Sequence, residues 1–363
     1  MRVWPYIFSE SGSPLEDAMN PAEPHRVPVD GPYFEDLHVG QRFEGAPAVT
    51  LTEGLATAHQ AIVGCRLPLV LDHGLSRRVI GDPESLGGPG GLAAPNLVWD
   101  VAIGQSTLAT HTVVANLFYR GVVFRRAPLL GDTLSTVTEV VGLRQNSRRP
   151  GRAPTGLAEL QIGTVDQHGR PVLDFRRCAM LPLRDAEVDT GHADDLSGAG
   201  ASPPSHEELR TMISRWDLPA YRAQRPGPHF ADLTAGTVFD VAGGDVVSSA
   251  PELARLTLNV AKVHHDASAS GAERLVYGGH TIGIALHQAV RALPDIVTVA
   301  GWHGCDHLGP VREGDTLTST IEVERLEPLA EGGLAHLRSR VRASRPGHAA
   351  TDVLDWRYIA VLA

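Results

Sequence analysis

The pattern that decides the fold occurs twice, first as Phe34-Glu-Asp-Leu-His-Val-Gly-Gln-Arg-Phe43 and again as Phe230-Ala-Asp-Leu-Thr-Ala-Gly-Thr-Val-Phe239. Two further pairs of matching segments follow in the same order along the two halves of the chain. They are Gly131-Asp-Thr-Leu134 with Gly314-Asp-Thr-Leu317, and Val172-Leu-Asp-Phe-Arg176 with Val353-Leu-Asp-Trp-Arg357. Three matches in one order are hard to obtain by chance, so the sequence indicates a duplicated domain.

Each half has the same predicted order of elements, with a long helix followed by a run of strands. In the second half, apolar residues at helical spacing predict a helix over Thr281 to Leu293, which Pro294 ends. In the first half the matching helix begins after Pro95 and covers Asn96 to Ile103. The strands predicted after the second helix are Thr316 to Val323, Ala335 to Val341 and Val353 to Val361. The sequence therefore predicts an α+β fold in which one helix packs on an antiparallel sheet, twice over.

Composition places the domain boundaries. We expect a poorly ordered N-terminal arm over 1–30, an N-terminal domain over 31–184, a linker over 185–225 and a C-terminal domain over 226–363. Ser205-His-Glu-Glu208 is a capping box that opens a short linker helix to about Trp216. The first half is longer between its first two markers, and the Pro/Gly-rich segment Gly81 to Gly91 accounts for the extra residues.

Charge and cysteine content limit the class of protein. The chain has 363 residues and a formal net charge of -10, without a Lys/Arg-rich run, which argues against nucleic acid or an anionic membrane as partner. No segment is apolar for the roughly 18 residues that a membrane span needs. Cys65, Cys178 and Cys305 form neither a disulfide framework nor a CxxC motif, which is typical of a cytoplasmic protein.

Residues suited to chemistry cluster in the second half, in Leu258-Asn-Val-Ala-Lys-Val-His-His-Asp266 and Leu275-Val-Tyr-Gly-Gly-His-Thr281. The histidines at 264 and 265 titrate near neutral pH and suit proton transfer. Glycines at a helix start let backbone amides approach an oxyanion. Lys262, the single lysine of the chain, suits a carboxylate or phosphate.

Each of these residues also has an ordinary interpretation. A pair of histidines is commonly a surface feature, Gly-Gly before a helix is commonly a turn, and a single lysine is commonly solvated. A metal site built from His264, His280, His303 and His307 fits no HExxH or CxxC spacing, so we predict no metal. The clustering is what favours an active site.

The run from Asn259 to His264, together with Leu275-Val-Tyr-Gly-Gly-His280, resembles the hydratase motif of MaoC-like double hotdog enzymes. Within that family the chain is most similar to the mesaconyl-CoA hydratase (β-methylmalyl-CoA dehydratase) group, over most of residues 31–363. The resemblance implies cofactor-free addition of water to a short enoyl-CoA that bears a second carboxylate. It assigns acid/base catalysis to His264 and the oxyanion amide to Gly279. The remaining residues expected to bind substrate are Lys262, Tyr277, Gly278, His280 and Arg126.

One departure from the family's motif concerns Asn259, which stands where typical hydratases have a catalytic Asp. An amide orients water but accepts no proton at pH 7. The N-terminal half lacks the motif, since no Asn/Asp-x4-His step occurs near His59 and Pro95-Asn96 replaces Gly-Gly. We therefore expect one active site, in the C-terminal half, with the N-terminal half completing the CoA tunnel. Two alternatives stay open, a dehydratase for another acyl-CoA or carrier-bound substrate and an inactive acyl-CoA-binding protein. We also expect a homodimer.

Overall fold

The protein is described from a computed structural model that covers residues 26–27, 29–81, 91–198, 204–271 and 273–363. Contacts divide the chain into Met1–Asp30 and Gly31–Ala363, and the second unit is described below. The N-terminal arm predicted over 1–30 and the insertion predicted at Gly81 to Gly91 lie largely outside the described residues. The domain boundaries near 184 and 226 stay predictions.

The helices and strands of the described residues follow the predicted order. The helices are α1 (Glu53–Val63), α2 (Pro68–Leu71), α3 (His73–Ile80), α4 (Pro95–Ser106), α5 (His206–Thr211), α6 (Leu218–Gln224), α7 (Ala250–Leu256) and α8 (Gly278–Ala292). The strands are β1 (Arg42–Phe43), β2 (Val49–Thr50), β3 (Ala115–Phe124), β4 (Thr133–Gln145), β5 (Thr155–Val165), β6 (Pro171–Pro182), β7 (Val238–Asp240), β8 (Asp245–Val246), β9 (Ile296–His307), β10 (Thr316–Pro328), β11 (Gly333–Ser344) and β12 (Thr351–Leu362).

All the strands belong to one antiparallel sheet, whose order is β1-β4-β5-β6-β3-β9-β12-β11-β10-β7. The short strands β2 and β8 pair with β4 and β10. The two halves of this order mirror each other about β3 and β9, where Tyr119 lies opposite Cys305 and Val122 opposite Trp302. The sheets of the two repeats are therefore continuous, as a double hotdog fold requires.

Strand sequence explains why one face of the sheet is buried. Along β4, and again over the first part of β10, buried apolar or small residues alternate with partly exposed ones, which is the pattern of a sheet covered on one side. The covered face of each repeat packs against its long helix, α4 or α8. A second core, on part of the opposite face, is closed by α2, α3, α5 and α6.

The two long helices begin differently. α4 starts with Pro95 at its first position, where a missing amide costs nothing, and all of its residues are buried. α8 starts with Gly278 and Gly279, directly after Tyr277. α4 is enclosed because it packs on its own sheet, on α8 and on the segment that precedes Asn259.

The predicted elements are found with shifted ends. The helix expected over Thr281 to Leu293 begins one turn earlier, at Gly278, because glycine is tolerated in a first turn. The capping box at Ser205 is present, but α5 ends at Thr211 and not near Trp216. β11 and β12 extend beyond both of their expected ends, whereas β10 begins at Thr316 as predicted and continues to Pro328.

Candidate active site

A cavity of about 700 Å³ lies between the two repeats. The N-terminal repeat contributes the end of α4, part of β3 and two residues of β6. The C-terminal repeat contributes the Asn259 to His264 segment and the start of α8. The polar residues that line it include Thr107, Thr110, Asn116, Tyr119, Arg177, Asn259, Lys262, His264, Tyr277, Thr281, His307 and Arg312. The predicted motif of the second half therefore faces a space that both halves enclose.

The N-terminal repeat holds the motif segment in place. A Cβ on Gly104 of α4 would lie 1.6 Å from the carbonyl oxygen of Thr257, so glycine is needed for this close approach. The hydroxyl of Thr107 accepts the amide of Val260 at 3.0 Å. The carbonyl of His111 accepts the amide of Lys262 at 3.0 Å. These contacts fix the backbone of the motif on both sides of Asn259.

Asn259 is buried, and its side chain is oriented by its own turn. The Oδ1 atom accepts the amide of Ala261 at 3.0 Å, which leaves the Nδ2 donor for a ligand in the cavity. Leu258, just before it, has a φ angle of 61°, a left-handed backbone conformation that residues other than glycine rarely adopt. The carbonyl of Asn259 is bound by the ring of His265 at 2.6 Å. Asn259 is thus presented as a hydrogen-bond donor.

His264 is oriented and kept neutral by its surroundings. Its Nδ1 lies 2.8 Å from the carbonyl of Leu275, and a carbonyl only accepts, so Nδ1 carries the proton and Nε2 has the free lone pair. Burial lowers the pKa of His264 to about 4, with smaller contributions from the positive charges of nearby groups such as Arg177. The imidazole is therefore an uncharged base at neutral pH, and it lines the cavity.

The start of α8 presents unsatisfied amides beside His264. The helix has no side-chain cap, and its His280 amide donates to the Tyr277 carbonyl, so the amides of Gly278 and Gly279 are left for other acceptors. Gly278 lines the cavity, whereas the Cα of Gly279 packs against Asp100 and Tyr277. A Cβ on Gly278 would lie 2.6 Å from the ring of His307. The oxyanion role predicted for Gly279 stays a prediction, and the amide of Gly278, in the same first turn, is a candidate for the same role.

Behind Tyr277 lies a buried polar chain that sequence reasoning missed. The Tyr277 hydroxyl donates to Asp100 Oδ1 at 3.0 Å, and Asp100 Oδ2 lies 2.8 Å from His59 Nε2. Burial raises the pKa of Tyr277 well above its usual value, and the Asp100 carboxylate adds to this effect. The N-terminal repeat thereby anchors the aromatic wall of the cavity, and Tyr277 keeps its proton.

Two predicted substrate-binding residues lie elsewhere. His280 does not line the cavity, because Gly278 and Thr281 occupy that side of α8 and a residue between them points away. Both His280 ring nitrogens are buried without hydrogen-bond partners, and burial lowers the pKa of His280 to about 4. Arg126 pairs with Asp166 and does not line this cavity, and its predicted contact with the substrate stays a prediction. The adjacent Arg125 is held by Asp174 and Glu208.

The structure adds residues that the motif did not reveal. Arg177, His307 and Asn116 line the cavity, and each has a buried polar side-chain atom without a partner. Burial lowers the pKa of His307 to about 4, so it is a second neutral imidazole. Aligning the two repeats could have revealed Arg177, since it occupies the position that Tyr358 holds in the second half.

Within the described residues, no group of three or more His, Cys, Asp or Glu side chains is arranged to hold a metal ion. In the same part of the chain, no helix is both long and apolar enough to cross a membrane. Cys65, Cys178 and Cys305 are buried free thiols.

Comparison with known proteins identifies the family. No family model matches the chain. A solved structure, of a conserved hypothetical protein from Mycobacterium tuberculosis with a double hotdog fold, is 52% identical in sequence. The match covers 93% of this chain and 100% of that one, with a TM-score of 0.85. The chain belongs to the double hotdog family of that protein.

Two curated relatives carry names that state an activity. A beta-methylmalyl-CoA dehydratase of Chloroflexus aurantiacus is 26% identical over 88% of this chain and 90% of its own length. A mesaconyl-CoA hydratase of Cereibacter sphaeroides is 27% identical over 87% of this chain and 90% of its own length. Both names denote addition or removal of water on a CoA thioester.

Proposed function

We propose that the protein is a hydratase/dehydratase that reversibly adds water to a short enoyl-CoA bearing a second carboxylate. The observation that carries this proposal is the charge of the cavity. Among its lining residues in the described part of the chain are the cations Lys262, Arg177 and Arg312, and none is Asp or Glu. A positively charged cavity in a chain whose net charge is -10 favours binding of an acyl group that carries a negative charge. The names of the two curated relatives agree with it.

The proposed reaction uses His264 as a single acid/base. Its Nε2 takes a proton from water while the oxygen attacks the β-carbon of the enoyl group. The electrons move to the thioester oxygen, where the first-turn amides of α8 stabilise the negative charge. The protonated imidazole then returns the proton to the α-carbon, so atoms and charge balance and no cofactor is needed.

Asn259 fits this scheme because its Nδ2 can hold the attacking water or the substrate without adding a charge. A carboxylate at that position would face the substrate's own carboxylate in a poorly solvated space, where like charges repel. The absence of Asp in the motif is thus consistent with an anionic substrate. The contribution of Lys262, the cytoplasmic location and the homodimer stay predictions.

The test uses purified protein with crotonyl-CoA and with mesaconyl-CoA, followed by the absorbance of the enoyl thioester. We expect a faster decrease, at equal concentration, with the carboxylate-bearing substrate. Hydration of crotonyl-CoA alone would favour the alternative of a hydratase for another acyl group. No turnover with either, together with binding of both, would favour an inactive acyl-CoA-binding protein.

A further inference from the structure

Arg177, in the N-terminal repeat, is a buried charge without a buried counter-ion. It is 3% exposed, and its Nη2 makes hydrogen bonds to the carbonyl of Ser106 at 3.2 Å and to the hydroxyl of Thr110 at 2.8 Å. Its Nε is buried without any acceptor. No carboxylate forms an ion pair with it in the described residues. An unpaired buried charge is strongly unfavourable unless another group compensates it, so we expect an anion to bind beside this side chain.

A purely structural role explains only part of this arrangement. The Ser106 carbonyl lies at the C-terminal end of α4, where a positive charge is favourable, and Nη2 of Arg177 donates a hydrogen bond to it. The hydrogen bonds of Nη2 leave Nε without an acceptor, on a residue that lines the cavity. The corresponding residue of the second repeat, Tyr358, is neutral and is bonded to Ser339. The fold itself therefore does not require a cation at this position.

Arg177 is also close to the reacting groups. Its charge contributes to lowering the pKa of His264, although burial is the largest cause there. On the sheet it lies opposite Tyr119, which lines the same cavity. Asn116 and His307, which line the same cavity, also have buried polar atoms without partners, so a polar group of a ligand would find unused hydrogen-bonding atoms there.

We propose that Arg177 is a specificity-determining residue that binds a carboxylate on the acyl group of the substrate, so that the N-terminal repeat selects the substrate on which the C-terminal repeat acts. This inference rests on the proposed function and deepens it. Arg177 suits the task better than Lys262, which is only partly buried and whose charge is therefore more strongly screened by solvent. A guanidinium also matches the two oxygens of a carboxylate in one plane.

The test measures binding of two saturated thioesters, succinyl-CoA and butyryl-CoA, which cannot be hydrated, by calorimetry. Arg177→Gln keeps an amide donor for Ser106 and Thr110 but removes the charge. Because charge-assisted hydrogen bonds are strong, we expect its affinity for succinyl-CoA to fall about 10- to 100-fold. The affinity for butyryl-CoA should change about threefold or less. Arg177→Lys should lie between Arg177→Gln and the wild type.

The matched control is Arg176→Gln, which removes an arginine charge from the position of β6 just before Arg177. Arg176 lies on the other face of the strand, where Glu159 and Gln161 bind it. We expect it to bind both thioesters as the wild type does. Equal loss of succinyl-CoA binding in both variants would overturn the inference, and so would a wild-type protein without preference for succinyl-CoA, even if Arg177→Gln fails to fold. Because the test measures binding and needs no turnover, it can be interpreted even if the protein proves not to be a hydratase.

Discussion

The two repeats share a fold but differ at the start of their long helices. α8 begins with Gly278 and Gly279 and leaves uncapped amides beside the cavity, whereas α4 begins with Pro95, which has no amide to offer. In the first repeat, His59 and Asp100 form a closed buried pair, while His264 in the second repeat faces the cavity. The second repeat therefore presents an acid/base and helix amides to the cavity, whereas the histidine of the first repeat is bonded to its own helix and supports Tyr277 through Asp100.

The largest expected effect is that of His264→Gln. It should lower kcat by about 10²- to 10⁴-fold, the usual contribution of a positioned acid or base, while the melting temperature changes little. The matched variant is His265→Gln, which loses only a bond to the backbone of Asn259 and should be far milder. Steady-state kinetics and thermal unfolding check both. Equal loss in the two variants, or loss only in His265→Gln, would move the acid/base to another residue.

A second pair of variants compares buried histidines of the two repeats by stability. His59→Leu leaves the buried Asp100 carboxylate without its imidazole partner and should cost about 3–5 kcal/mol of unfolding free energy at pH 8. His280→Leu removes an imidazole whose ring nitrogens have no partners, so its cost at pH 8 should be much smaller.

The His280 variant also tests how the stability of the protein depends on pH. Burial lowers the pKa of His280 to about 4. Between pH 6.5 and 4 the unfolded chain therefore takes up a proton that the folded chain does not, so the free energy of unfolding decreases as the pH is lowered. His280→Leu should therefore gain about 2 kcal/mol relative to wild type on going from pH 8 to pH 5. Urea unfolding at both pH values measures this. Parallel loss of stability in wild type and His280→Leu would contradict the assignment of acid sensitivity to this residue.

The smallest effect is expected in the first turn of α1. Glu53 is exposed and does not line the cavity, so Glu53→Gln should change kcat by less than about twofold, as surface substitutions usually do. The related measurement is the stoichiometry of a tight-binding product analogue, which should saturate at one per chain. Two equivalents per chain would show that the first repeat also holds a working site.

The predictable part of the molecule is the part that local patterns encode. The duplicated segments predicted two repeats, the alternating strands predicted the sheet, and the spacing from Asn259 to His264 predicted residues that do line one cavity. Gly278 before the long helix predicted an open helix start in the same way. These signals are visible in sequence because hydrophobic period, helix starts and short motifs involve neighbours along the chain.

Contacts between the repeats could be known only from the tertiary structure. Asp100 contacts Tyr277, and Arg177 lines the same cavity as His264, because β3 and β9 join the two sheets and bring α4 beside α8. Arg126 looked equally suited to bind substrate by sequence, but the fold pairs it with Asp166. Residue type determined which side chains could do chemistry. Which of them face a common, poorly solvated cavity was decided by packing, since burial and partners depend on residues far apart in the chain.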